Sequence, residues 1–224
     1  MSASDAPVRE PGTRARSGNA MARTRAALLE ATGECLARYG VRKTTMVDVA
    51  ARSRVAKATL YNHFRTKDDL LVAYVEDRVA TLTRAAVTTA TASGLPASLA
   101  ELAEALREDP VLRRAAREEP AYLAPLAVPG SGRGWAAART GAADVLTAAR
   151  VPAGSGQVAL LLRWVTSQLL WPLAEEEGSG QALVAQLSAV PGGAEPTPPP
   201  ADDVPIPALG WPGDRMPVIA NKET

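Results

Sequence analysis

The stretch from Thr44 to Leu71, TTMVDVAARSRVAKATLYNHFRTKDDLL, decides the fold. Thr45 and Asp48 have the spacing of a capping box, a hydroxyl at the N-cap and a carboxylate at the third helical position. Met46, Val49 and Ala50 follow on one face, so a helix is predicted from Thr45 to about Arg52. Ser53-Arg54-Val55-Ala56 interrupts it. A short helix is predicted next, from Lys57 to about Phe64. Leu60 and Phe64 share one face at i, i+4, while Lys57, Thr59 and Asn62 lie elsewhere. Thr66 and Asp69 repeat the capping pattern and launch a long helix from Lys67 to about Ala92, which Gly94 and Pro96 end. Leu70, Leu71, Tyr74, Val75, Val79 and Leu82 face inward along it.

N-terminal to this stretch, Leu28, Leu29, Thr32, Cys35, Leu36 and Tyr39 recur at three- and four-residue steps, which predicts a helix from about Met21 to Tyr39. Gly40 is placed to end it in the left-handed conformation. Residues 1–20 are polar, small and broken by prolines and glycines, and read as a disordered arm. Towards the C-terminus, further helices are expected over about 96–108, 110–118, 133–150, 155–175 and 179–190, with a loop over 125–132. No stretch alternates with period two for long enough to make a strand. From Pro191 the chain reads as a Pro-rich disordered tail, because 9 of its 18 prolines fall there. The expected organisation is therefore all-α: an arm over 1–20, a helix-turn-helix domain over 21–66, a helical bundle over 67–190 and a tail over 191–224.

Composition sets the class. Hydrophobic residues make up 46% of the 224 and charged residues 22%, as in an ordinary globular protein. The single cysteine, Cys35, excludes an intramolecular disulfide and reads as a small buried hydrophobe. No apolar run is long enough for a membrane span, and the N-terminus lacks the apolar core of a secretory signal, so a cytoplasmic protein is expected. The net charge of +1 hides an asymmetry. Residues 1–66 carry twelve Lys and Arg against five Asp and Glu, whereas residues 67–224 carry thirteen against nineteen. A basic head on an acidic body suits a polyanion partner for the head alone.

Two helices joined by a tight turn at this spacing form a helix-turn-helix, whose second helix enters the DNA major groove. Thr44 and Thr45 stand at a helix N-terminus, where hydroxyls and free N–H groups meet a phosphate, and Arg42 precedes them. Lys57 opens the second helix within reach of a guanine edge or a phosphate. Ala58 allows close approach, Thr59 offers a methyl or hydroxyl, and Asn62 suits adenine. Tyr61 and His63 suit phosphate contact, and Lys67 starts the next helix near the backbone. The competing reading makes Leu60, Phe64, Val49 and Val55 core and the charged residues a solvated face. His63 is the only histidine and has no acidic or cysteine cluster beside it. No metal, cofactor or nucleophile–base pair is expected, and hence no enzyme.

The residue pattern resembles the TetR family of bacterial regulators over roughly residues 23–78. The matching positions are Thr44-Thr45, Asp48-Val49-Ala50, Val55, Thr59-Leu60-Tyr61, His63-Phe64, Lys67 and Leu70-Leu71, with Tyr39-Gly40 before them. The resemblance implies an all-helical homodimer with an N-terminal DNA-binding domain and a C-terminal domain that binds a small-molecule effector. It also implies repression relieved by that effector, and two-fold symmetry then implies double-stranded DNA with a palindromic operator. The chain departs from the family's pattern at Arg54, where glycine is usual, at Ala56, where a Ser or Thr cap is usual, and at Ala58, also commonly glycine. Arg54 and Ala56 motivate an alternative: a dimeric ligand- or protein-binding module that has lost specific DNA binding. In the second region, Tyr122, Trp135, Trp164, Gln168 and Trp171 are candidates to line an effector pocket. Val158–Leu173 is apolar nearly all round and suits a dimer interface, with the last helix completing a four-helix bundle between two copies.

Overall fold

Both predicted capping boxes form, and they set the register of the N-terminal domain. The Thr45 hydroxyl accepts from Asp48 N at 3.2 Å, and the Asp48 carboxylate accepts from Thr45 N at 2.9 Å. Thr66 and Asp69 do the same at 3.0 and 3.1 Å. A computed structural model of the chain describes residues 12–123, 130, 132–170 and 179–189. Among these residues there are eight α-helices and no strand. They are α1 (Gly12–Lys43), α2 (Met46–Ser53), α3 (Lys57–His63), α4 (Lys67–Glu108), α5 (Pro110–Glu118), α6 (Arg133–Ala148), α7 (Ser155–Leu170) and α8 (Ser179–Ala189), with a 3-10 turn over Pro120–Tyr122. The expected Trp171, the tail from Pro191 and most of the 125–132 loop lie outside the described residues.

Two expectations about helix ends change. Helix α1 begins at Gly12 rather than at Met21, so the second half of the expected arm is helical. Gly40 does interrupt α1 with a positive φ, but at φ 82, ψ 170 it is extended rather than left-handed helical. Only glycine tolerates that region, because a Cβ would collide with the backbone. Gly94 breaks α4 in the same way, at φ 82, ψ 175, and Pro96 opens the second segment.

The head packs around one core: Leu28, Leu29, Ala31 and Cys35 of α1, Met46, Val49 and Ala50 of α2, Leu60 and Phe64 around α3, and Leu70 and Ala73 of α4. Its packing thus continues past residue 66 into the first turns of α4. Cys35 is buried among these apolar groups, and burial pushes its thiol pKa up. A second core joins Ala86, Ala90, Leu95 and Leu99 of α4 to Ala142, Val145 and Leu146 of α6, Leu161 and Trp164 of α7, and Leu183 and Leu187 of α8. Helices α4 and α6 approach closely at Gly141, where a Cβ would stand 2.2 Å from Thr83 Oγ1. The long α4 therefore belongs to both cores and links them.

Helix α5 lies against α4 at one end and α1 at the other. Asp109 caps it, its Oδ1 accepting from Val111 N at 2.9 Å and Leu112 N at 3.0 Å. The other carboxylate oxygen of Asp109 accepts from Arg78 Nη2 on α4 at 2.6 Å. At the far end, Arg114 Nη1 donates to Arg38 O at 3.0 Å on α1.

Candidate nucleic-acid interface

Helix α3 is divided by its two faces. Leu60 is fully buried and Phe64, just past its end, is 4% exposed, so these side chains hold the helix on the head. Lys57, Ala58, Tyr61 and Asn62 are exposed, and Thr59 and His63 are half-buried. Three of the four exposed side chains carry donors or acceptors, and the fourth is small enough for close approach to a base edge. Tyr61 and Val47 of α2 are large apolar or amphipathic groups left open to solvent, at 41% and 53% exposure. Val47 was not among the sequence candidates, because a lone apolar residue on a short helix is indistinguishable from core by periodicity.

The turn between α2 and α3 is built without its usual aids. Arg54 adopts the left-handed conformation, φ 56 and ψ 24, with its N–H donating to Ala51 O at 3.4 Å. Ala56 caps α3 with no side-chain hydrogen bond. Strain at a non-glycine left-handed residue costs about 1 kcal/mol, and loss of a Ser or Thr cap about the same.

Two of the expected contact residues are engaged elsewhere. Thr44 is 2% exposed, and its hydroxyl donates to Gly40 O at 2.7 Å, so its side chain faces the interior rather than a phosphate. Thr45 beside it is exposed and caps α2, while Arg42 is exposed just ahead. The Lys67 ammonium donates to Val41 O at 2.6 Å and Arg42 O at 3.3 Å. Burial pulls its pKa down, opposed by the nearby Asp68 and Glu119 carboxylates. Lys67 therefore braces the turn that leads into α2, with one of its three N–H groups left for another acceptor. His63 stacks obliquely near Phe64, ring centroids 6.2 Å apart.

Sequence reading missed the other half of this brace. Glu119, just before the 3-10 turn, accepts from Val41 N at 2.5 Å with Oε2 and from Arg42 N at 3.1 Å with Oε1. No pattern in the chain pairs residues so far apart.

The effector-pocket candidates are spread out. Trp164 and Gln168 lie one turn apart on the buried face of α7, and buried Trp164 Nε1 and Gln168 Nε2 have no hydrogen-bond partner among the described residues. Trp135 is half-buried on α6 beside Gly130, and Tyr122 is half-buried in the 3-10 turn. Among the described residues no three His, Cys, Asp or Glu side chains form a metal site, and no helix is long and apolar enough to cross a membrane.

Residues 28–74 match the family described as bacterial regulatory proteins, tetR family. Three solved structures share the wider architecture. The TetR family repressor AlkX from Dietzia sp. strain DQ12-45-1b, implicated in biodegradation of n-alkanes, is 18% identical over 74% of this chain and 96% of its own, with a TM-score of 0.60. A TetR-family regulator from Pectobacterium atrosepticum is 22% identical over 76% of this chain and 91% of its own, at 0.51. Another from Mesorhizobium loti is 19% identical over 75% and 97%, at 0.50. At such identities the likeness establishes a shared fold. No curated protein sequence matches the chain.

Proposed function

We propose that this chain, whose residues 28–74 match the tetR family, is a sequence-specific transcriptional regulator, a repressor released from a palindromic operator by a small-molecule effector. The observation that carries the reading is the two-sided α3: Leu60 locks it to the core while Lys57, Ala58, Tyr61 and Asn62 stand free together. That is the arrangement a recognition helix needs in the major groove. Thr45 and Arg42 at the head of α2 serve the phosphate backbone, and Thr59, His63 and Lys67 flank the contact.

The C-terminal bundle supplies dimerisation and sensing. Val158, Leu160, Leu162 and Val165 remain only partly buried against their own core, and Leu170 is 43% exposed. Burial of that surface against a second copy is the natural use of such a face. Two buried donors without partners, Trp164 Nε1 and Gln168 Nε2, favour an effector that brings an acceptor such as a carbonyl or ether oxygen. The assignment to the cytoplasm follows from the DNA partner.

The test is genome-wide selection of bound DNA with the purified protein. A palindromic consensus bound in a salt-sensitive way is expected, with log K falling by about 0.9 per phosphate contact against log salt. Absence of both sequence preference and salt sensitivity would instead favour the second reading, a dimer without specific DNA binding, to which the uncapped α3 behind Ala56 lends support. The Lys57→Ala, Tyr61→Ala double variant separates the two: operator binding is lost while dimerisation is unchanged.

A further inference from the structure

The segment Gly40–Lys43, the last turn of α1 beyond its break at Gly40, leads into the capping box of α2. It carries Arg42 and delivers Thr45 to the surface, so its backbone sets where the head's phosphate contacts stand. None of its hydrogen bonds to other parts of the chain comes from α2 or α3. On the acceptor side, Lys67 at the start of α4 takes the carbonyls of Val41 and Arg42 at 2.6 and 3.3 Å. On the donor side, the Glu119 carboxylate takes the N–H groups of the same two residues at 2.5 and 3.1 Å. One peptide segment is thus gripped between a cation of the head–body link and an anion of the body.

The grip is tight and specific in shape. Glu119 Oε2 lies 2.8 Å from where a Cβ on Gly40 would stand, so the carboxylate fills the space that glycine leaves. Arg114, one turn earlier on α5, donates to the Ala37 and Arg38 carbonyls at the end of the regular part of α1, at 3.5 and 3.0 Å. The opposite end of α5 is held to α4 through Asp109 and Arg78 at 2.6 Å. Helix α5 is therefore a strut. One end follows α4, which runs into the C-terminal core, and the other holds the segment that presents Arg42 and Thr45.

We propose that Glu119 is a positioning residue for DNA binding: its carboxylate, carried by the C-terminal domain, holds the Gly40–Lys43 segment in the geometry that contacts DNA. Effector-driven movement of α4 then reaches the head through α5 and Glu119 as well as through α4 itself. The proposal rests on the DNA-binding reading and adds to it the part of the body that controls the head.

The sign of one substitution isolates this role. Glu119→Gln removes a negative charge near a polyanion, so simple electrostatics makes DNA binding tighter. It also replaces one acceptor by an N–H₂ that faces a backbone N–H, so loss of positioning makes binding weaker. Operator binding would be measured for the full-length wild type, Glu119→Gln and Glu119→Asp, with the operator taken from selection of bound DNA. Amide hydrogen exchange at Val41 and Arg42 would be followed in the same proteins without DNA. Glu119→Gln is expected to bind at least about tenfold more weakly. Exchange at Val41 and Arg42 accelerates, and Glu119→Asp, which keeps the charge on a shorter arm, falls between. Binding by Glu119→Gln as tight as wild type or tighter overturns the proposal. If that variant does not fold, Glu119→Asp decides alone at constant net charge: weaker binding with faster exchange supports the proposal, and unchanged binding overturns it. Wild type that binds no DNA refutes the regulator reading and this role together. In that case exchange at the two amides still reports whether Glu119 holds the segment.

Discussion

Asp109 and Arg78 join the C-terminal strut to the long central helix, Oδ2 to Nη2 at 2.6 Å, with the Asp109 side chain 5% exposed and Arg78 36%. The same carboxylate caps α5 through two backbone N–H groups. Asp109→Ala strands a half-buried guanidinium and uncaps the helix together. A loss of about 3 kcal/mol is expected, less than for a fully buried pair because Arg78 reaches solvent. The midpoint of urea unfolding reads it directly, and a change below about 0.5 kcal/mol contradicts the strut's anchoring.

Tyr74 faces Gly33, where a Cβ would lie 3.0 Å from the ring's Cε2. Burial pushes its phenol pKa up to about 12, helped by the Asp109 carboxylate and opposed by Arg78. Because the folded value is raised above the ordinary value near 10, the neutral phenol favours the fold. That contribution is complete below about pH 10 and is lost as pH rises towards 12, amounting to about 2 kcal/mol. Stability measured from pH 9 to 12 should decline less steeply in Tyr74→Phe than in wild type.

Arg54 and Ala56 make the helix-turn-helix less stable than its backbone allows. Arg54→Gly relieves the left-handed φ of 56, and Ala56→Ser restores a cap to α3. Each is expected to add about 1 kcal/mol, or about 2–4 °C in melting temperature for a chain of this size. Calorimetry of the single variants checks both. No gain from Ala56→Ser means that another group already satisfies the first N–H groups of α3.

On the proposed reading, the exposed side of α3 divides into readers and anchors. Asn62→Ala should relax preference at one base pair by about 1–3 kcal/mol. Lys57→Ala separates two roles. If the ammonium holds a phosphate, affinity falls evenly for all sequences and the salt slope drops by about 0.9. Repeating the DNA selection with each variant, alongside anisotropy titrations at several salt concentrations, distinguishes the two patterns.

Gln168→Leu removes a buried amide whose Nε2 has no partner among the described residues. The effector-free protein is then expected to gain about 1 kcal/mol, since an apolar group of similar size carries no desolvation penalty. An effector that uses this amide would at the same time bind more weakly and release the operator at higher concentration. A destabilised Gln168→Leu protein would show that the amide already has a partner in the free state.

Most of the head was legible because its signals are local. A capping box acts across three residues, so Thr45–Asp48 and Thr66–Asp69 could be read directly and both formed. The helix expected over 110–118 formed as α5, Pro110–Glu118. The inward Leu60 and Phe64 and the outward Lys57 and Asn62 followed from helical period alone.

The sequence by itself therefore determined the helices of the head and the two faces of α3. Only the tertiary structure decided what braces them. It turned Thr44 inward onto Gly40 O, drew Lys67 onto the carbonyls of Val41 and Arg42, and brought Glu119 across to their N–H groups. These contacts join residues 25 or more positions apart, except for Thr44. The Thr44 hydroxyl reaches only one turn back, to Gly40 O, which also accepts from Thr44 N at 3.2 Å. The long-range contacts depend on how α4 and α5 pack against α1, and packing is set by the whole core rather than by any local pattern.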